Sequence, residues 1–327
     1  MPVVGETTHL GIIRTSSSST KLSQNVASRI SLARRTLYAL TGAGIHGVNG
    51  LKPRAAMKIY MLYVIPRLLT GLEATMVTAA DLAELERFHK RTLRLFQGLP
   101  ERVPEEAVYL LIGAIPIQAI LDLRFLGLYG SVARMDNSKI NHIAKRQLIM
   151  KDLDSYSWFS KLSCILLKYR LPSALDVMAL KPDKFPWKTR CKIAVYNYWE
   201  DKLRHSLGTK SSLRFLHLGE MVLGEEHHLW RSVGNNTRDV RRGAIKAKLV
   251  TGTYLLQTTR ALWSKRTVSP ICELCQLEPE DRVHFLARCP YMKDCRLGFR
   301  RQLAEILSDW GFNKIPLNHD DVWMQLV

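Results

Sequence analysis

No run of 18 consecutive apolar residues occurs in the 327-residue chain, and apolar stretches such as Ile59–Leu69 are broken by Pro66 and Arg67. A transmembrane helix is therefore not expected. Met1–Leu10 is neither arginine-rich nor followed by an apolar signal core, so secretion is not expected, and the cytoplasm, the nucleus or both are the expected location. Strand-like alternation is scarce, and internal repeats and long low-complexity tracts are absent, which leaves a mainly α chain. Phosphate-binding loops, nucleophile elbows and dinucleotide fingerprints are also missing. Carboxylates are few: 29 Asp and Glu against 48 Lys and Arg. Those that cluster do so where turns are expected: Asp152 with Asp154, Asp320 with Asp321 after Asn318-His319, and Glu225-Glu226 before His227-His228. They are read as loop, exposed end and solvated turn rather than as catalytic or metal sites.

What remains is an apolar, strongly basic chain. Hydrophobic residues make up 46%, enough to bury a sizeable core and to exclude disorder of the whole. The net charge of +19 is concentrated: residues 1–100 hold thirteen Lys and Arg against five Asp and Glu, and residues 231–270 hold nine against one. Polyphosphate is the commonest strongly acidic partner for such blocks, so RNA, DNA or both are the expected partners and a membrane is not.

Periodicity outlines the helices. A short extended piece over residues 1–15 and a polar loop at Ser16–Thr20 lead to a helix from Ser23, whose apolar positions Val26, Ile30, Ala33, Leu37 and Leu40 end at Gly42 and Gly44. After a turn at Gly47, Asn49 and Gly50, a second helix runs from Pro53 to about Thr70 with a kink expected at Pro66. Thr78 or Asp81 caps a third, with Leu82, Leu85, Phe88 and Phe96 as its buried stripe and Arg87, Lys90, Arg91 and Arg94 as a basic one. Further helices are expected over Glu105–Ile112, Pro116–Met135, Lys139–Met150, Trp158–Tyr169 and Lys188–Ser206. Thr237–Thr251 is a charged amphipathic helix. Arg238, Arg241, Arg242 and Lys246 share the face expected to lie along phosphates, while Val240, Ala244 and Ala247 share the face expected to pack.

Four of the six cysteines fall between residues 272 and 295, and a histidine falls among them. Cys272-x2-Cys275-x8-His284-x4-Cys289 places three thiols and an imidazole in order within 18 residues. Thiolate and imidazole in a closed tetrahedron suit zinc, and a Cys3His set with no open position implies one structural Zn2+ per chain rather than a catalytic ion. A short helix starting near Asp281 would present His284 and deliver Cys289 ahead of Pro290; Cys295 is the alternative fourth ligand.

Several separated stretches carry a family likeness. Thr8-His9-Leu10-Gly11-Ile12 with Ser31-Leu32-Ala33-Arg34-Arg35-Thr36-Leu37-Tyr38-Ala39-Leu40, then Gly44–Leu51 and Val64–Glu73, resemble the end of the palm and the start of the thumb in non-LTR (LINE-type) retrotransposon reverse transcriptases. Ile245–Gln257, ahead of the Cys-x2-Cys motif, resembles the corresponding part of the same polyproteins. The resemblance implies a thumb that clamps a template–primer duplex, a helical linker and a C-terminal zinc knuckle that grips RNA, and it adds Arg34 and Arg35 to the expected nucleic-acid contacts. It divides the chain into residues 1–100 (end of palm plus a three-helix, thumb-like unit), 101–230 (linker) and 231–327 (basic helix and zinc module). The family's aromatic-x-Asp-Asp carboxylates, which hold two Mg2+ ions, have no counterpart among these residues, so no polymerase activity is expected of this chain alone. The loop between Cys275 and His284 holds eight residues where the retroviral knuckle holds four. The expected function is nucleic-acid binding. The alternatives are a polymerase part completed by a palm-bearing reverse transcriptase chain in trans, and a truncated or host-recruited retroelement protein that acts as a protein-interaction scaffold through helices such as Pro116–Met135.

Overall fold

A computed structural model describes residues 6–9, 12–15, 22–46, 50–135, 139–151, 155–210, 213, 216, 222–265, 267–311 and 316. The Ser16–Thr20 loop, Leu10 and Gly11, Gly47 and Asn49, Asp152 and Asp154, and Asn318–Asp321 lie outside the described residues. The chain is mainly α, as its periodicity predicts, and forms two compact units. One comprises Met1–Lys210 with Leu218–Ala244, the other Ser211–His217 with Ile245–Val327. The boundaries drawn at residues 100 and 230 both fall inside the first unit.

In the first unit, strands β1 (Glu6–His9) and β2 (Ile12–Thr15) pair antiparallel, Glu6 opposite Thr15. Buried Asn25 on helix α1 (Leu22–Gly42) clasps β2 by accepting from the Ile13 amide (2.7 Å) and donating to the Ile13 carbonyl (3.0 Å). Helices α2 (Pro53–Ile59) and α3 (Ile65–Leu69) are joined without a break by a π-helical turn over Tyr60–Val64. At Pro66, where a kink is expected, the helix instead takes up a π-turn, whose extra residue relieves the clash a proline ring makes with the carbonyl four residues back. Gly71 follows at φ +87°, where an added Cβ would lie 2.9 Å from the Ile12 side chain, so this reversal needs glycine twice over.

The run Pro53–Ala74 is apolar and long enough to cross a membrane by length and composition. One face of it, Tyr60, Val64, Ile65, Leu68 and Leu69, is buried with α3 packed on α1, while Met61, Leu62 and Tyr63 are exposed. Helix α4 (Ala79–Gln97) opens with a capping box in which Thr78 and Asp81 both take part. Its buried face is Leu85, His89, Leu93 and Phe96; Leu82 and Phe88, placed in the core by the sequence pattern, are only half-buried.

Helices α5 (Glu105–Ile112) and α6 (Ile117–Ala133) carry that core onward. The half-buried Glu86 carboxylate accepts from the Tyr109 hydroxyl and from the Ile117 and Gln118 amides (both 3.4 Å), satisfying the first donors of α6. Beside it the fully buried His89 ring lies between Tyr60 and Tyr109. Its Nε2 is 3.1 Å from the Ile115 carbonyl and its Nδ1 is 2.9 Å from the Tyr60 hydroxyl. A carbonyl only accepts, so Nε2 carries a proton; burial lowers the imidazole pKa and keeps the ring neutral, which leaves Nδ1 to accept from Tyr60.

Helices α7 (Lys139–Met150), α8 (Trp158–Lys168) and α9 (Ala174–Leu180) close one side, α9 being an element the sequence pattern did not mark. Helix α10 (Lys184–Gly208) begins four residues before the expected Lys188, because Pro186 sits in its first turn, where a missing N–H costs nothing. It packs on α6 by seating Trp187 against Gly130, and the indole donates to the Leu126 carbonyl (2.9 Å). Helix α11 (His228–Arg231) returns to α4 through buried Trp230, whose indole donates to Gln97 (3.0 Å). Of the Glu225–His228 stretch, expected as a solvated turn, Glu225 and His228 are exposed but the middle pair is not. Glu226 and His227 are buried, and His227 caps α11 by accepting from the Leu229 amide (3.2 Å).

Helix α12 (Thr237–Val250) contributes its residues up to Ala244 to the first unit and the rest to the second. The second unit continues with α13 (Gln257–Trp263), the cysteine–histidine loop and α14 (Lys293–Asp309).

Candidate metal centre and cationic groove

The loop that follows α13 is shaped by its own backbone. Ile271 bridges to Pro279, the Cys272 amide donates to the Glu278 carbonyl (2.9 Å), and the Gln276 amide donates to the Cys272 carbonyl (2.9 Å). Gln276 turns the chain at φ +57°, which folds the Cys-x2-Cys segment tightly enough for both thiols to face one point. Asp281 then accepts from the His284 amide (2.7 Å) and starts the expected helical turn. That turn is π rather than α over His284–Arg288, and the Cys289 amide closes onto the His284 carbonyl five residues back (2.7 Å). A turn of this width sets His284 and Cys289 on the same side, where 3.6 residues per turn would leave them out of step.

Cys272, Cys275, His284 and Cys289 therefore converge: their four ligand atoms all lie within 4.8 Å of one another. Cys275 Sγ is 3.3 Å from His284 Nε2, and Cys272 Sγ is 4.0 Å from Cys289 Sγ. Ordinary sulfur and nitrogen bond lengths around a tetrahedral ion would separate such atoms by about 3.6–3.8 Å, so the set fits a metal ion with little movement. Cys272, His284 and Cys289 are buried. Hydrogen bonds from the Leu277 and Glu278 amides pull the Cys275 thiol down to about 7, towards the thiolate a metal requires, while burial pushes the Cys289 thiol up. Cys295, the alternative ligand, is exposed on α14 and stands outside the cluster.

Sequence reasoning missed the group that orients the imidazole. Glu278 Oε2 lies 3.1 Å from His284 Nδ1, so Nδ1 donates to the carboxylate and Nε2 is left facing the sulfurs. A carboxylate behind a metal-binding histidine fixes its tautomer and raises its basicity. The signal was present as an acidic residue inside the ligand loop, but spacing alone does not say that it folds back.

The expected nucleic-acid contacts separate on inspection. On α4, Arg87 and Arg91 are exposed, but Lys90 is paired with Glu105, and half-buried Arg94 donates to the Val103 carbonyl (3.0 Å). The stripe of four is thus two outward cations and two that also tie α4 to the segment after it. Arg34 of α1 joins the outward pair. Arg34, Arg87, Arg91 and Arg94 line one groove of about 500 Å³ with Tyr38, Phe88 and Leu95, against the carboxylates Glu84 and Glu101. Arg35 is exposed on α1 outside that lining. On α12, Arg238, Arg241 and Arg242 are exposed within the first unit and Lys246 within the second, while Val240, Ala244 and Ala247 are buried, as the amphipathic pattern predicts. Compared with protein families, curated proteins and solved structures, the chain matches none.

Proposed function

We propose that this chain binds nucleic acid, in the manner of the segment that follows the palm in non-LTR retrotransposon reverse transcriptases, and that its Cys3His cluster holds a structural zinc ion. The observation that carries the proposal is the convergence of Arg34, Arg87 and Arg91, from two helices far apart in sequence, on one groove that also offers Tyr38 and Phe88. Guanidinium groups contact phosphates, and aromatic faces stack on bases or sugars. Zinc is favoured over other ions by the softness of three thiolates and one imidazole, and by a closed set that leaves no position for water or substrate. In that role the ion holds the loop between Ile271 and Cys289 in shape; His284 and the three thiolates bind it, and Glu278 orients His284. The chain itself supplies no carboxylate pair of the polymerase kind, so primer extension is assigned to a palm-bearing chain and not to this one.

The test is equilibrium binding of a labelled RNA–DNA hybrid by the parent and by the triple variant Arg34→Gln, Arg87→Gln, Arg91→Gln. Loss of three phosphate contacts flattens the slope of log affinity against log salt by about 2–3. A variant with the parent's affinity and slope overturns the assignment of this groove.

A further inference from the structure

A second cationic furrow runs along the first unit, between α6 and α10. Lys184, Lys188 and Lys192 follow one another at four-residue intervals on α10, all three exposed, and form a rail with a backbone rise of about 6 Å from one residue to the next; the Lys192 ammonium also lies over the Tyr196 ring, 5.3 Å from its centroid. Facing them on α6 are Ile120, Leu123, Arg124, Gly127, Leu128 and Ser131, which with Trp187 and Cys191 form a largely apolar floor. The furrow is open to solvent and holds about 570 Å³. Glu73 is the single carboxylate in the lining, and Arg124 holds it through two hydrogen bonds (2.8 and 3.3 Å), so the three lysines set the sign of the field. Gly127 opens the middle of the floor: a Cβ placed there would meet nothing within 4 Å.

From this geometry we propose that the α6–α10 furrow binds single-stranded nucleic acid, with phosphates on the Lys184–Lys188–Lys192 rail and bases against the apolar floor at Leu123, Gly127 and Leu128. The proposal rests on the nucleic-acid reading above and adds to it a second site and its strandedness. One charge per repeating unit, beside an apolar face for each base, is the pattern a single strand presents. A duplex keeps its base faces stacked inside and presents only phosphates and groove edges, so it can reach the rail but has no free base face for the floor. An acidic peptide would satisfy the rail but has no repeating planar apolar group for the floor.

The experiment compares three full-length chains binding a fluorescent oligo-uridylate over a salt series: the parent, Lys184→Gln/Lys188→Gln/Lys192→Gln, and Gly127→Leu. Circular dichroism confirms that each retains its helices; the lysines are exposed and leucine is the better helix former, so folding is preserved. The triple lysine variant is expected to lose about 2 from the salt slope and about 100-fold in affinity at 0.1 M salt, by the counterion-release rule for single strands. Gly127→Leu fills the floor without touching charge and is expected to bind about tenfold more weakly at an unchanged slope. Single-strand binding by the parent that is unaltered in both variants overturns this site and leaves the Arg34–Arg87–Arg91 reading intact. A parent that binds no nucleic acid of any form overturns both readings. Poly-glutamate that binds the parent more tightly than the oligo-uridylate at an equal charge concentration, and is weakened by the triple lysine variant, identifies an acidic peptide as the occupant and overturns the nucleic-acid assignment.

Discussion

At the scale of single residues, His284 illustrates how a ligand is prepared before any metal arrives. The Asp281 carboxylate fixes its backbone amide and the Glu278 carboxylate fixes its Nδ1, so only Nε2 is offered to the three thiols. Elemental analysis of the purified chain should find one zinc per molecule. Structural zinc contributes on the order of 10 kcal/mol to the folding of such loops. Cys275→Ser should therefore release the metal and lose hydrogen-exchange protection over residues 271–289 while the first unit keeps its helicity. Glu278→Ala should weaken zinc binding about 10- to 100-fold in a chelator competition. A metal-free chain with full protection across that loop would contradict the assignment.

His89 makes a different prediction, in pH. Burial holds its imidazole down to about 4, against 6.5 for a free histidine, with the bond to the Ile115 carbonyl opposing only part of that shift. The folded state thus keeps His89 neutral where the unfolded chain takes up a proton. Its contribution is present above pH 6.5 and is lost as pH falls towards 4, amounting to about 3 kcal/mol over that interval. Burial raises the neighbouring Glu86 carboxyl, which acts in the opposite sense, favouring the fold at low pH and less so as pH rises. Urea denaturation at pH 7 and pH 4 should therefore show a smaller loss of stability for His89→Gln than for the parent; equal losses would show that the ring titrates normally.

At the scale of elements, the sequence revealed most where the information is local. Helices α1, α4, α5, α7 and α12 were marked within a residue or two, because caps, glycine stops and apolar periodicity lie within each segment. The metal ligands were legible for the same reason: all four sit in one loop. What was not legible depends on distant chain. Lys90 and Arg94 belong to a clear basic stripe, yet Glu105 and the Val103 carbonyl engage them, and Arg34 joins Arg87 and Arg91 only because α1 packs on α4. On α10 the apolar pattern marks a helix only from Lys188, while the helix itself starts at Lys184 with Pro186 in its first turn, so Lys184 joins Lys188 and Lys192 only in the structure.

Helix α12 tests the two faces separately. Val240 is fully buried and the neighbouring Gly243 lies against Trp230 and Val233, so Val240→Asp, which buries an unpaired charge, should destabilise the first unit by about 3 kcal/mol or more. Arg238→Ala/Arg241→Ala/Arg242→Ala should leave the thermal midpoint nearly unchanged and flatten the salt slope of nucleic-acid binding by about 2–3. A triple variant with the parent's slope would make this face a solvated surface only.

At the scale of the whole molecule, the core and the outward cations are largely separate, although Lys90, Arg94 and Arg124 also tie elements together. The excess of +19 contributes nothing to the core, which is built from Tyr60, Phe96, Phe125, Tyr129 and Trp230 and their aliphatic neighbours. The exposed cations lie along helix faces whose opposite sides are buried, as on α4 and α12, so the basic surface can change without loss of the fold. That surface is the ground for reading the chain as a nucleic-acid binder, and its signature is counterion release. The most direct measurement is the affinity of the chain, purified with zinc in the buffer, for RNA and DNA strands of unrelated sequence between about 50 and 400 mM salt. With six to eight phosphates engaged, log affinity should fall against log salt with a slope of about −4 to −7, nearly the same for every sequence. A slope near zero, or no binding at the lowest salt, would contradict the account.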